Sequence, residues 1–403
     1  MVNRLNRLNL ATGSLVVLIA LTLIFFIVLT PRIWNFHALN EKPLSPDFAI
    51  CWSASYLALS GEPAEAYEIN KLQEVQERFF KVRHYSTNGW YYPPSYFLLT
   101  LPLGLLPYLP ALAVWLGVTL CGYLAMLRRT SASAFILPLG LTFSGAYWNF
   151  LFGQNGFLSG FLLGGGLILL DKFPLMAGLL LGMMCYKPQL LSLSLVALAV
   201  GRHWRALAGL LASSLAMILL SLALFGWETW LAYFKVLSIP MQLLEDGLAP
   251  WNKMPTFFAA VLSAGFSVST AYVVQGVIMV LALAGVVWVW ARPGPIAIKG
   301  AVLILGILLF SPYAFLYDLA ILAFPLAWLW EEGRLKGRLP GETILLFTGW
   351  IIPLATYLLW EEINIFQGKL QLAPLVLLAL FGFALLRHAF QVKNEGHFPQ
   401  GPG

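Results

Sequence analysis

Charge is scarce in this chain. Asp, Glu, Lys and Arg make up 10% of its 403 residues, and 60% of residues are hydrophobic. A soluble globular chain carries about 25% charged residues, so this balance excludes ordinary soluble domains and implies an integral membrane protein. Cysteine is scarce as well. Cys51, Cys121 and Cys185 are widely spaced, mostly in apolar stretches, and read as buried small hydrophobes. His37, His84, His203, His388 and His397 are scattered without metal-ligand spacing, so no metal site is expected. There is no Walker loop, no dinucleotide fingerprint and no Gly-x-Ser-x-Gly, so a soluble nucleotide donor has no visible cradle and no cofactor is expected. No internal repeat is present, which weighs against a transporter built from two related halves. No basic run is interleaved with aromatics, so the net charge of +6 points to anionic lipid and not to nucleic acid.

What the chain does contain is a series of apolar runs punctuated by basic turns. The first, from Leu8 to Pro31, has no charge over roughly 24 positions, enough to span a bilayer. No small-residue cleavage site follows it, so a retained helix is expected. The basic clusters are Arg4/Arg7, Arg128/Arg129, Lys172, Arg202/Arg205, Arg292/Lys299, Arg334/Lys336/Arg338 and Arg387/Lys393. Taken as cytoplasmic turns with two spans between neighbours, they predict about twelve transmembrane helices and both termini in the cytoplasm. The expected spans are Leu15–Pro31, Ala111–Leu127, Ala134–Phe150, Gly156–Leu170, Pro174–Tyr186, Gln189–Val200, Ala206–Phe225, Thr270–Ala291, Ile296–Phe310, Ala314–Trp330, Ile344–Trp360 and Ala373–Arg387. The fold class is an all-α polytopic membrane protein: one domain over residues 1–393, with a cytoplasmic tail over 394–403. Pro94–Pro107 is apolar but short and proline-broken, so it is expected as an interfacial or re-entrant element within a long outer loop, residues 32–110. Pro255–Ala264 is a second such candidate. The loop carries a helix near Asp47–Ser60, which Asp47 is placed to cap, and a solvated charged stretch near Ala64–Arg83. The remaining outer loops are Gly226–Pro255, Pro312–Asp318 and Glu361–Lys369.

Polar and ionisable residues are costly in a membrane, which makes them candidates for function. Five clusters stand out, and the expected topology puts all of them on the outer face. Asp47, in Ser45-Pro46-Asp47-Phe48, reads either as a general base for an acceptor hydroxyl or as a plain helix cap. Trp90, Tyr91 and Tyr92, before Pro93-Pro94, suit a sugar or lipid-phosphate groove, or an aromatic belt. Gln154 and Asn155, between Gly153 and Gly156, offer amides to sugar hydroxyls, or form a tight turn. Lys187, in Tyr186-Lys187-Pro188-Gln189, is the only charge between Lys172 and Arg202. It reads as a phosphate ligand with Gln189 beside it, or as a snorkelling lysine. Tyr317 and Asp318, in Ser311-Pro312-Tyr313-Ala314-Phe315-Leu316-Tyr317-Asp318, sit where a helix begins, and a carboxylate there suits either substrate positioning or the helix dipole. Lys253, in Trp251-Asn252-Lys253-Met254-Pro255, is a weaker phosphate candidate, as are Arg78 and Arg83.

The order of these motifs resembles glycosyltransferase family 87, the polyprenol-phosphate-mannose-dependent mannosyltransferase-like family of the membrane GT-C class. The resemblance rests on an Asp after the first helix, Tyr92-Pro93-Pro94, the Gly153-Gln154-Asn155-Gly156 turn, Lys187-Pro188 and the Pro312…Tyr317-Asp318 segment, and it runs from about Asp47 to Pro325. It implies a GT-C-like helical bundle in the plasma (bacterial inner) membrane. It also implies a polyprenyl-phosphate sugar as donor, mannose being the best-known sugar, a lipid or glycan acceptor, and transfer with inversion. Asp47 matches the acidic residue that serves the family as base. Its neighbours, Pro46 and Phe48, are not acidic, which leaves no carboxylate pair for a metal. A transporter or flippase of a lipid-linked substrate is the alternative, and a subunit without chemistry is a third reading. The last would leave Asp47, Lys187 and Asp318 unconnected in space.

Overall fold

The computed structural model describes residues 20, 23, 26–27, 43–80, 88–360, 364–365 and 368–395. Most of the expected first span, the segment carrying Arg83 and the tail from 396 lie outside the described residues. The described chain is helical almost throughout, apart from one two-residue antiparallel pair, Asn364–Ile365 with Gly368–Lys369.

Five helices are long and apolar enough to cross a membrane: Tyr108–Leu127, Trp204–Glu245, Val268–Trp290, Glu342–Leu359 and Ala373–Val392. Five shorter apolar ones join them: Pro94–Leu105, Gly156–Leu169, Pro174–Tyr186, Pro188–Val200 and Ile296–Phe310. The expected count of twelve therefore meets only five helices of spanning length among the described residues. Backbone chemistry accounts for several of the breaks. Proline has no N–H to donate and pushes the residue before it out of the helical region. Pro174 and Pro188 accordingly begin new helices, with Phe173 and Lys187 at φ −134° and −128°. The expected span Ala134–Phe150 is divided at Phe143, which is extended, into Ile136–Thr142 and Ser144–Phe152.

One expectation for the outer loops changes. Gly226–Pro255 is not a loop at its start: the helix from Trp204 bends at Gly226, whose φ of +76° suits glycine alone, and continues to Val236, followed by a further helix, Ile239–Glu245. Pro94–Leu105 is three consecutive short helical pieces, too short to span, as its prolines suggest. Pro255–Ala264 contains the seven-residue helix Phe257–Ser263, capped by the Thr256 hydroxyl, which accepts from the Ala259 N–H. Of the cysteines, Cys51 is buried, Cys185 is partly buried and Cys121 is exposed on the outward side of its helix, where a small apolar side chain faces lipid as readily as core.

Chain direction locates the functional end. Gly156–Leu169 and Pro188–Val200 start next to the polar motifs and end at Lys172 and Arg202. Ile296–Phe310 starts near Lys299 and ends just before Ser311. The polar motifs thus lie at the helix ends opposite the basic turns.

Candidate active site

The helix that carries Asp47 spans Pro46–Leu59. Pro46 supplies the first turn with a preset φ, and Ser45, not Asp47, occupies the cap position, with φ +55° and no side-chain capping bond. The expectation that Asp47 caps this helix is therefore corrected. It lies within the first turn, where the helix dipole favours a carboxylate, and its half-buried side chain lines a cavity. The Ser45 hydroxyl instead donates to the Leu151 carbonyl at 3.0 Å, which ties the helix start to the end of Ser144–Phe152. That helix terminates at Gly153, φ +64°, whose carbonyl accepts the Trp115 indole N–H at 3.1 Å. A Cβ added at Gly153 would lie 2.6 Å from Phe48 Cβ. Gly153→Ala is expected to destabilise the protein by about 1–2 kcal/mol from the left-handed backbone alone, and by more from the contact with Phe48. A lowered unfolding midpoint in detergent checks this.

The turn after Gly153 aims the Gln154 amide at the carboxylate. The Gln154 Nε2 donates to Asp47 Oδ2 at 2.9 Å, and its Oε1 accepts from the Tyr92 hydroxyl at 3.3 Å. That hydroxyl accepts from Asn155 Nδ2 at 2.9 Å. The result is a directed chain, Asn155 to Tyr92 to Gln154 to Asp47, in which the last member accepts. A carboxylate oxygen, with no proton to give in its ionised form, is the natural end of such a chain. Burial, then the Asp318 charge among other neighbours, pushes the Tyr92 phenol well up, so it stays a neutral hydroxyl. The Tyr92 backbone carbonyl is held in turn by the Tyr67 hydroxyl at 2.8 Å.

Lys187 is not the lone ammonium that its sequence context suggests. Its Nζ pairs with Asp318 Oδ1, both side chains being almost fully buried. Asp318 Oδ2 accepts the Phe315 N–H at 3.0 Å, which closes the turn before the helical segment Asp318–Leu322. The Lys187 ammonium also sits 5.2 Å from the centre of the Tyr317 ring. Asp318 therefore stands at a helix start, as expected, with its charge matched from a distant part of the chain.

Lys253 lies half-buried on the same cavity wall, its ammonium 4.7 Å from the Phe152 ring centre. Its carbonyl accepts the Leu316 N–H at 2.8 Å, which anchors it to the Asp318 segment. Trp90 behaves differently from the expected sugar platform. It is 2% exposed and stacks on Tyr96 and Phe97, with ring centres 5.5 and 5.4 Å apart, so it serves as backing for the wall. Tyr91, Tyr92, Gln189 and Tyr317 remain partly exposed at the cavity. Burial pushes the Tyr91 phenol up also.

The cavity measures about 410 Å³, and all eleven site residues singled out from the sequence line it: Asp47, Trp90, Tyr91, Tyr92, Gln154, Asn155, Lys187, Gln189, Lys253, Tyr317 and Asp318. That volume lies in the usual range for small-molecule sites. The charged residues of its lining are Asp47, Lys187, Lys253 and Asp318. Arg78, the other weak candidate among the described residues, is not part of the lining. Among the described residues no group of three or more His, Cys, Asp or Glu side chains gathers to hold a metal. Sequence reading missed Tyr67, behind Tyr92, and Gln371, behind Lys253. Neither has a local motif to announce it, since each acts on backbone far away in the chain.

Comparison with known proteins adds one finding. The model of glycosyltransferase family 87 matches residues 90–312, more than half of the chain. No curated protein and no solved structure matches. The matched span holds Tyr92, Gln154, Lys187 and Lys253, while Asp47 and Asp318 lie on either side of it.

Proposed function

Since the chain belongs to glycosyltransferase family 87 and is thereby a membrane glycosyltransferase, we propose that it moves a hexose, mannose first among the candidates, from a polyprenyl phosphate to an acceptor hydroxyl at the outer face of the plasma membrane. The observation that carries this reading is the convergence of Asp47, the Gln154 amide bonded to it and two lysines on one cavity.

Asp47 takes the proton of the acceptor hydroxyl as that oxygen attacks the anomeric carbon. The bond from that carbon to the phosphate oxygen breaks on the opposite face, and the configuration inverts. The polyprenyl phosphate departs with the electron pair and gains negative charge, which a nearby ammonium stabilises. Lys187 and Lys253 are the two cations of the lining. Lys253, half-buried on the cavity wall, is assigned to that phosphate, while Lys187 stands beside Asp318. Gln154 holds Asp47 by one oxygen, which fixes the carboxylate's orientation. A lipid-borne donor needs no nucleotide cradle, in keeping with a sequence that has none. The outer face is favoured because the cavity lies at the helix ends opposite the basic turns.

Purified protein given a panel of polyprenyl-phosphate sugars and a membrane acceptor extract tests the reading. Transfer from one or more of them is the expected result. Folded protein that transfers from none would overturn the donor class.

A further inference from the structure

Lys253 sits on a single three-residue helical turn, Trp251–Lys253, whose cap is not closed by any side chain. So short a turn does not hold a side chain in place by itself. Its placement is fixed from outside. Met254 is fully buried in a small core with Leu244 and Phe258, which anchors the turn from beneath. On the other side stands Gln371, 1% exposed, between the Asn364–Lys369 hairpin and the helix that begins at Ala373. Its Nε2 donates to the Trp251 carbonyl at 3.0 Å and to the Met254 carbonyl at 3.1 Å. One amide thus spans the turn and grips the carbonyls on both sides of Lys253. The Lys253 carbonyl is itself held by the Leu316 N–H. Three carbonyls of this backbone, at 251, 253 and 254, are therefore bonded to chain segments more than 60 residues away.

We infer that Gln371 is a positioning residue for the phosphate end of the site: it fixes the turn that aims the Lys253 ammonium at the phosphate of a lipid-linked donor. The inference rests on the assignment of Lys253 to that phosphate. Gln371 lies beyond the matched family segment and does not line the cavity, so it reaches the site through the turn it holds, whose charged lining residue is Lys253. Its amide is required as a double donor. A carboxylate of the same shape accepts and cannot donate to two carbonyls, and leucine leaves both carbonyls without this partner.

The test is a double-mutant cycle with polyprenyl-phosphate mannose as donor, or with whichever polyprenyl-phosphate sugar the donor panel identifies. Lys253→Ala, Gln371→Leu, Gln371→Glu and Lys253→Ala/Gln371→Leu are purified, and each is confirmed as monodisperse. Lys253→Ala is expected to raise the donor KM roughly tenfold or more, as for a lost charge-assisted bond, with the acceptor KM unchanged. Both Gln371 variants are expected to raise the donor KM severalfold, again without a change in acceptor KM. The double variant is expected to match Lys253→Ala alone, because a residue acting only through Lys253 has nothing left to position. A Gln371 effect that adds fully to Lys253→Ala, or that falls equally on donor and acceptor, would make Gln371 a general structural residue and overturn the inference alone. A Lys253→Ala variant with a normal donor KM would overturn the phosphate assignment and the inference with it. Gln371→Glu keeps the inference open to test should Gln371→Leu fail to fold.

Discussion

Asp47→Asn is expected to lower sugar transfer by about 10²–10⁴-fold, the usual loss on removing a general base, without loss of folded protein. The substitution keeps the size of the side chain and its place in the first turn of Pro46–Leu59. It removes the one property that a proton acceptor needs. The Gln154 amide, which donates to Asp47 Oδ2, can still donate to an asparagine oxygen, so that hydrogen bond survives. A helix-terminal role would behave otherwise. Loss of a carboxylate from the first turn costs about 0.3–1 kcal/mol of stability and leaves chemistry untouched. Initial rates of wild type and variant with the same donor, next to their melting curves, separate the two. Near-normal rates in Asp47→Asn would remove Asp47 as the base, whatever the donor proves to be.

Lys187→Met is expected to cost about 3–5 kcal/mol, because it leaves the Asp318 carboxylate buried without its counter-charge. Both side chains of the pair are almost fully buried, so solvent screening does not soften the loss. The companion variant Lys187→Met/Asp318→Asn is expected to recover most of the stability. It removes both charges and leaves an oxygen to accept the Phe315 N–H. Melting temperatures of the wild type and the two variants in one detergent measure this. A single variant as stable as wild type would mean that Asp318 finds another partner, and the pair would no longer explain the turn before Asp318–Leu322. Activity in the recovered double variant bears on mechanism. Transfer at a normal rate makes the pair a scaffold, and transfer lost from stable protein assigns one of the charges to the reaction.

The limits of the sequence are clearest at particular residues. Lys187 stands out in sequence because a charge within a long apolar stretch is costly, and that argument correctly marks it as special. The partner cannot be read the same way. Asp318 is 131 positions away, and nothing local to either residue specifies the pairing. Gln154 and Asn155 stand out as amides between glycines, and the turn reading holds. Gly153 makes the turn with a positive φ, and the turn aims Gln154 at Asp47. Trp90 shows the opposite outcome. An aromatic beside Tyr91 and Tyr92 looks like a platform, yet stacking against Tyr96 and Phe97 withdraws it into the wall. The helix bounds differ from expectation at Phe143, an extended residue that divides Ala134–Phe150, and at Gly226, where the helix bends and continues, whereas the break at Lys187 falls where Pro188 suggests it.

The amino-acid sequence by itself determined that this is a helical membrane protein and which polar residues are exceptional within it. Both follow from the cost of placing charge and unpaired backbone in lipid, a cost that each segment bears locally. Only the tertiary structure decided that those residues share one cavity, that Lys187 is neutralised while Lys253 rests on a turn gripped by Gln371, and that Asp47 is held by an amide 107 positions along the chain. Those outcomes depend on which helix ends meet. Meeting is set by packing between distant segments, to which no single stretch of sequence carries the complement.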